Sequence, residues 1–374
     1  EVGHTLGLPH NMGSSVAYPV DSLRSKSFTE KYGTAPSIMD YARFNYVAQP
    51  GDEGVSMMPN IGIYDKYAIN WGYRPILDKE GMEEKPVLDQ WILEHAGDPM
   101  YRFGAQQWDV VDPSSQTEDL GDDAVKASNY GIENLKRIVP NLIEWTAEDG
   151  KNYDDLETLY GQVLTQFNRY MGHVSNNIGG VYQYNKTYDQ DGAVFVPVPK
   201  ERQEESLAFL QEQLFSTPEW MIDTDILNKI ENNGNIERIR GLQVRTLNNV
   251  LDFGRMARMI ENETLNGREA YSLTEMMNDL RSGIFSELRA GRKIDTYRRN
   301  LQRAYVDRLE YLLTEEQEGR RNSTSVNVSQ SDIRSIARAE LNTLKRSVRS
   351  AIGRTGDSLS RYHLQDLLER IDLI

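Results

Sequence analysis

Residues 1–12 read Glu1-Val2-Gly3-His4-Thr5-Leu6-Gly7-Leu8-Pro9-His10-Asn11-Met12. Glu1, His4, Gly7 and His10 make the pattern E-x-x-H-x-x-G-x-x-H. Residues 1–7 have the character of a helix end. Glycine at such an end adopts the left-handed conformation that turns a chain sharply. Pro9 cannot continue the helix. A turn at Gly7 therefore swings His10 back toward His4. Two converging imidazoles are candidate metal ligands, and a carboxylate beside them is a candidate general base and acid. The plainer alternative is a helix-to-loop junction that carries two histidines by chance.

Two later stretches bear on that choice. Pro36-Ser37-Ile38-Met39-Asp40-Tyr41 follows a loop with short helical pieces, such as Ser27 to Tyr32. Taken alone it is a turn with a buried Met beside a core Tyr. Residues 61–73 form an amphipathic helix, with Tyr64, Tyr67, Ala68 and Trp71 at i, i+3, i+4 and i+7 and Gly72 as a stop. A stripe of this kind is expected to be core.

Together these stretches resemble the zinc proteases of the metzincin clan. E-x-x-H-x-x-G-x-x-H is their motif H-E-x-x-H-x-x-G-x-x-H without its first histidine. Ser-Ile-Met-Asp-Tyr resembles their methionine turn, whose Met packs beneath the zinc-binding histidines. Residues 61–73 are similar to their closing helix, with its Y-D-x-x-A-I pattern. The chain is thus similar to the C-terminal part of a large bacterial zinc-dependent metalloprotease of the Met-zincin group. The specific motifs cover about the first 75 residues. The stretches 118–128 and 197–200 are also similar to that group.

The resemblance implies a zinc cofactor (Zn) held by His4, His10 and a histidine preceding Glu1. Three protein ligands leave a fourth position for water, the catalytic form of such a site. Glu1 is implied as general base and acid, and Tyr41 as a phenol that reaches the developing oxyanion. Gly7 and Met39 are implied as structural supports. The implied reaction is hydrolysis of peptide bonds in a protein or peptide substrate by metal-activated water. The first histidine and the upstream sheet with the substrate edge strand are absent here, so this chain is expected to bind zinc weakly and to be inactive alone. The implied compartment is exported: periplasmic, outer-membrane-associated or secreted. The competing reading is a non-catalytic helical protein-binding module or a degenerate peptidase.

Composition narrows the remaining classes. The chain has 374 residues, no cysteine and a net charge of −15. Disulfides, thiolate metal sites and cysteine nucleophiles are excluded. The charge is uneven: residues 1–200 hold 16 Lys and Arg against 29 Asp and Glu, and residues 201–374 hold 26 against 28. An acidic first half argues against nucleic acid as a partner. The arginine-rich second half reads as solvated helix faces. No apolar run approaches the length of a transmembrane segment.

The expected fold class is mainly α: residues 1–75 as the C-terminal remainder of a catalytic domain, then residues 76–374 as a helical region with one β-hairpin near 181–198. Helices are expected at 88–96, 121–147 with an interruption near Pro140, and 153–178, the last with Leu156, Leu159, Tyr160, Val163, Phe167, Tyr170 and Met171 on one stripe. Strands are expected at 181–188 and 193–198, joined by a turn at Asp189-Gln190-Asp191-Gly192. Further helices are expected at 200–215, 223–232, 236–251, 252–262, 274–290, 295–313, 330–352 and 357–371, with a polar linker at 322–331. Glu118, Asp119, Asp122 and Asp123 are expected to cap the helix they precede. His95, His173 and His363 each stand alone and are expected as surface or core residues. The sequons at Asn185, Asn262, Asn322 and Asn327 carry little weight.

Overall fold

The computed structural model describes residues 1–317 and 326–374; the Asn322 sequon and part of the polar linker lie outside them. The fold is mainly helical, with one small two-stranded antiparallel sheet. The chain divides into two compact units, Glu1–Leu135 with Val181–Val196, and Lys136–Gly180 with Pro197–Ile374.

The first unit has short helices at Val2–Thr5 (α1), Lys26–Tyr32 (α2), Ile63–Tyr73 (α3) and Lys85–Leu93 (α4), and a longer one at Ala124–Ile138 (α5). Val181–Gln183 (β1) and Phe195–Pro197 (β2) form the sheet. The strands are shorter than expected. One further backbone bond, from the Tyr184 N–H to the Val194 carbonyl at 2.8 Å, extends the pairing, and Asn185 next to it donates its side-chain amide to the Phe103 carbonyl at 3.1 Å.

Much of this unit is irregular, and buried backbone polar groups outside helices and sheets need side-chain partners. Buried and half-buried polar residues supply them. Asn45 donates its amide to the Leu23 carbonyl at 2.8 Å. Gln107 donates to the carbonyls of Asp112 and Ser115 while its oxygen accepts from the N–H groups of Val111 and Asp112. Arg24 holds Asp52 through Nε at 2.7 Å and Nη2 at 3.0 Å, the two-pronged geometry that gives Arg–carboxylate pairs direction. The apolar core between these clamps includes Met12, Tyr18, Leu23, Tyr46, Val47 and Leu120.

The second unit is a helical assembly: Leu142–Thr146 (α6), Asp154–Ser175 (α7), Lys200–Leu210 (α8), Thr224–Ile230 (α9), Asn235–Val250 (α10) and Phe253–Asn266 (α11). Leu273–Ile284 (α12), Ser286–Ala290 (α13), Thr296–Thr314 (α14), Asp332–Ile352 (α15) and Ser358–Leu373 (α16) complete it. Pro140 ends α5 in a short 3₁₀ turn, as its missing N–H requires. On α7 the residues Leu156, Tyr160, Val163, Phe167, Tyr170 and Met171 are buried, whereas Leu159 points outward. Helix α14 packs against α10, α15 and α16, with Leu301, Tyr305 and Leu309 fully buried.

One expected helix, 274–290, is two. It breaks at Phe285 (φ −113°), and the reason is a long-range partner. The buried Arg298 on α14 donates to the freed carbonyls of Gly283 at 2.8 Å and Ile284 at 2.6 Å. Gln302 donates to the Ile284 carbonyl as well, at 2.9 Å. Among the described residues no helix is long and apolar enough to cross a membrane.

Candidate active site

Helix α1 ends in a Schellman turn. The N–H of Gly7 donates to the His4 carbonyl at 3.0 Å and that of Leu8 to the Gly3 carbonyl at 3.0 Å. Gly7 takes φ +80°, a conformation costly for a residue with a Cβ. The turn brings His10 back against His4, with ring centroids 4.6 Å apart and planes nearly perpendicular.

Both imidazoles are anchored through the same ring atom. Nδ1 of His4 bonds the Leu8 carbonyl at 3.0 Å, and Nδ1 of His10 bonds the Met39 carbonyl at 3.3 Å. A carbonyl only accepts, so Nδ1 carries the proton in each ring. In the neutral ring, Nε2 of each is then the lone-pair nitrogen that a metal can take. Histidine ligands ordinarily have this arrangement, one nitrogen on the metal and the other donating to a fixed acceptor. The pair therefore fits a zinc ion on its donor chemistry. Among the described residues no group of three or more His, Cys, Asp or Glu is placed to hold a metal.

The Met39 carbonyl also accepts the Asn11 N–H at 3.0 Å. Asn11 is fully buried and fixes its own loop by donating to the Arg102 carbonyl at 2.8 Å and accepting the Gly104 N–H at 2.9 Å. Met39 is buried, with its sulfur against the backbone of Gly3 on α1. The 3₁₀ turn Ile38–Asp40 ends at Tyr41, which has φ +67°, unusual for a residue other than Gly, Asn or Asp. That conformation sets the Tyr41 ring edge-on to His10 at 4.5 Å between centroids. Glu1, His4, His10, Met39, Tyr41 and Arg43 contribute to the wall of one concavity of about 380 Å³.

Two aspartates hold the turn from behind. Asp65, in the first turn of α3, accepts the Ser37 hydroxyl at 2.6 Å, the Ile38 N–H at 2.9 Å and the Gly62 N–H at 2.8 Å. Asp40 is fully buried and accepts the Ser14 N–H and hydroxyl and the Ser15 N–H at 2.7–2.9 Å. Burial outweighs these bonds and pushes the Asp40 carboxyl up to about 7. Asp119, also buried, is raised by burial and then by the charge of Asp40.

The acidic cluster is thus not uniformly a helix cap. Asp123 does cap α5, accepting the Lys126 N–H at 3.0 Å. Asp122 accepts the Val20 N–H at 3.0 Å, and Glu118 pairs with Arg43 at 2.9 Å. The stripe on α3 is not core either. Tyr64, Tyr67, Ala68 and Trp71 are half-buried and line a second cavity of about 670 Å³, together with His95 and Tyr101. His95 stacks on Tyr101 at 3.9 Å. The two cavities share Met39 alone among their lining residues. His173 and His363 are buried, as expected of core histidines.

Residues 1–291 match the family model described as Met-zincin. The chain belongs to the Met-zincin family. No curated protein and no solved structure matches it. Membership places the chain in a metzincin-like peptidase family. In this Met-zincin chain the match runs far past the motifs of the first 75 residues. It includes both 118–128 and 197–200 and stops just after α13, so that α14, α15 and α16 lie beyond it.

Several residues that shape this region were not singled out in the sequence for the roles they play, although Asp40 and Asp65 stand inside the quoted turn and helix patterns. Gly3, Asn11, Asp40 and Asp65 act on chain segments far from themselves. Only Asp65 had a local mark, an acidic residue in the first turn of a helix.

Proposed function

We propose that residues 1–41 carry most of the catalytic apparatus of a zinc-dependent endopeptidase. The observation that supports this most is the matched anchoring of His4 and His10, each with Nδ1 on a backbone carbonyl and Nε2 left for a metal. His4 and His10 would hold the zinc with a third histidine, which the motif places one residue before Glu1. A bound zinc supplies Lewis acidity: it makes water a nucleophile near neutral pH and polarises the scissile carbonyl. Glu1 takes the proton released from water and returns it to the leaving amine. Tyr41 directs its hydroxyl at the oxyanion that forms on the carbonyl. Met39, wedged against Gly3, keeps the ligand-bearing helix end in place. The substrate is a protein or peptide chain, and the compartment we propose is an exported one.

The test has two arms. In calorimetric zinc titration, this chain is expected to bind well short of the ~10–16 kcal/mol of closed structural sites. The binding is expected to vanish in His4→Ala and His10→Ala. In a protein that carries histidine immediately before Glu1, a casein-cleavage assay is expected to show chelator-sensitive hydrolysis, abolished by Glu1→Ala. Zinc-replete protein of that sequence that cleaves nothing, or an active Glu1→Ala variant, would remove the peptidase reading.

A further inference from the structure

A concavity of about 540 Å³ in the second unit lies between α12–α13 and α15, and four arginines line it: Arg281, Arg289, Arg346 and Arg354. Ser282, Ser286, Ser347 and Ser350 also line it, and no carboxylate does.

The arginines are partly positioned in advance. Arg281 is held by Glu340 at 2.7 Å and by the Asn278 side-chain oxygen at 2.6 Å. Arg346 donates to the Thr343 hydroxyl at 3.0 Å, and Arg354 to the Leu288 carbonyl at 3.2 Å. Arg289, Arg346 and Arg354 make no ion pair among the described residues. An arginine at a helix end ordinarily meets terminal carbonyls. Arg354 does so, yet this uses a small part of its fork of donors. Like charges lining one concavity are relieved by an anion between them.

We propose that this concavity binds a small soluble oligophosphate. The guanidinium fork matches pairs of phosphate oxygens, serine hydroxyls add donors, and no lining carboxylate opposes the ligand. Three arginines without an ion pair, from α13, α15 and the turn after α15, line with Arg281 a space larger than one phosphate needs, which favours a ligand with several linked phosphates. The site is independent of the peptidase reading, since it uses none of residues 1–41.

The experiment is calorimetric titration of the whole chain with inorganic tripolyphosphate, and with inorganic phosphate as a second probe. Saturable one-to-one binding of tripolyphosphate is expected, with phosphate weaker. In Arg289→Gln/Arg346→Gln the affinity is expected to drop at least about tenfold, since charge-assisted bonds are lost. Arg245→Gln/Arg268→Gln removes the same charge from exposed positions away from the concavity and is expected to leave affinity nearly unchanged. Absence of saturable binding, equal losses in the two double variants, or phosphate binding as tightly as tripolyphosphate would each overturn the proposal.

Discussion

The Met39 sulfur occupies the space that a side chain on Gly3 would fill. A methyl group built on Gly3 overlaps Sδ and sits 3.3 Å from Cε. Helix propensity alone favours Gly→Ala by up to ~1 kcal/mol. The overlap is with the far end of a buried Met39 side chain that borders two cavities; displacing its sulfur from α1 costs ~1–3 kcal/mol as overpacking, and this decides the sign. Gly3→Ala is expected to lower the urea midpoint. Met39→Ala alone costs ~2–5 kcal/mol as a large-to-small core change, and in that background Gly3→Ala is expected to cost less than in the parent, because the shorter side chain at 39 removes the overlap. A stabilised Gly3→Ala variant would show that the sulfur is free to move.

Asp40 predicts a pH dependence at the same turn. Its folded-state carboxyl is raised to about 7 from an ordinary 3.8, chiefly by burial. The folded state therefore binds the proton more tightly than the unfolded state does. This contribution is fully present below about pH 4, and it is lost as pH rises toward 7. Asp119, raised in the same direction, adds to the trend. Urea midpoints between pH 5 and 8 are expected to fall as pH rises. In Asp40→Asn the fall should be smaller, since an amide oxygen still accepts from Ser14 and Ser15 without acquiring charge. An unchanged slope in Asp40→Asn would assign the dependence to other groups.

The buried pair Arg298–Glu287 is costlier to break than a surface ion pair. Arg298 donates to Glu287 through Nε at 2.6 Å and Nη2 at 3.1 Å, and Gln302 adds a third donor at 3.1 Å. Gln302 in turn bonds the buried His363 at 2.9 Å, whose imidazole burial drives down to about 3 and keeps neutral. Removing one charge strands the other in the core, at ~3–5 kcal/mol. Arg298→Met is expected to cost that much in chemical denaturation. Arg298→Met/Glu287→Gln is expected to cost less than Arg298→Met, and a double variant that is worse would contradict this account.

These cases show which parts of the molecule local sequence could reveal. Helix starts were legible where a side chain caps its own helix: Asp252, Asp295 and Asp357 each accept N–H groups two or three residues ahead. The helices begin one residue after each of them. The turn at Gly7 was legible for the same reason, because its conformation is set within the pattern that carries the two candidate ligands. The break at Phe285 was not, since the group that stabilises it is Arg298, on the next long helix. Periodicity on α3 showed which residues share a face, but not whether anything covers that face. Tyr64, Tyr67 and Trp71 accordingly line a cavity in place of the expected core. The supports of the candidate site, Asn11, Asp40 and Asp65, are polar residues whose partners lie tens of residues away.

Tyr41 offers the most direct functional prediction. Its left-handed backbone, φ +67°, places the ring against His10 with 39% of the residue exposed, open to the concavity that Glu1 and the histidines share. A phenol needed only for packing there would be replaced by Phe without consequence. A phenol that donates to an oxyanion would not, and the loss of one such donor costs ~10²–10³ in kcat. In active protein with the third histidine in place, Tyr41→Phe is expected to lower kcat by that order, with KM little changed and zinc affinity intact. Tyr41→Gly relieves backbone strain of order ~1 kcal/mol and removes the hydroxyl as well, so the hydroxyl reading requires it to lose activity too. Full activity in Tyr41→Phe would assign Tyr41 to the support of His10 alone.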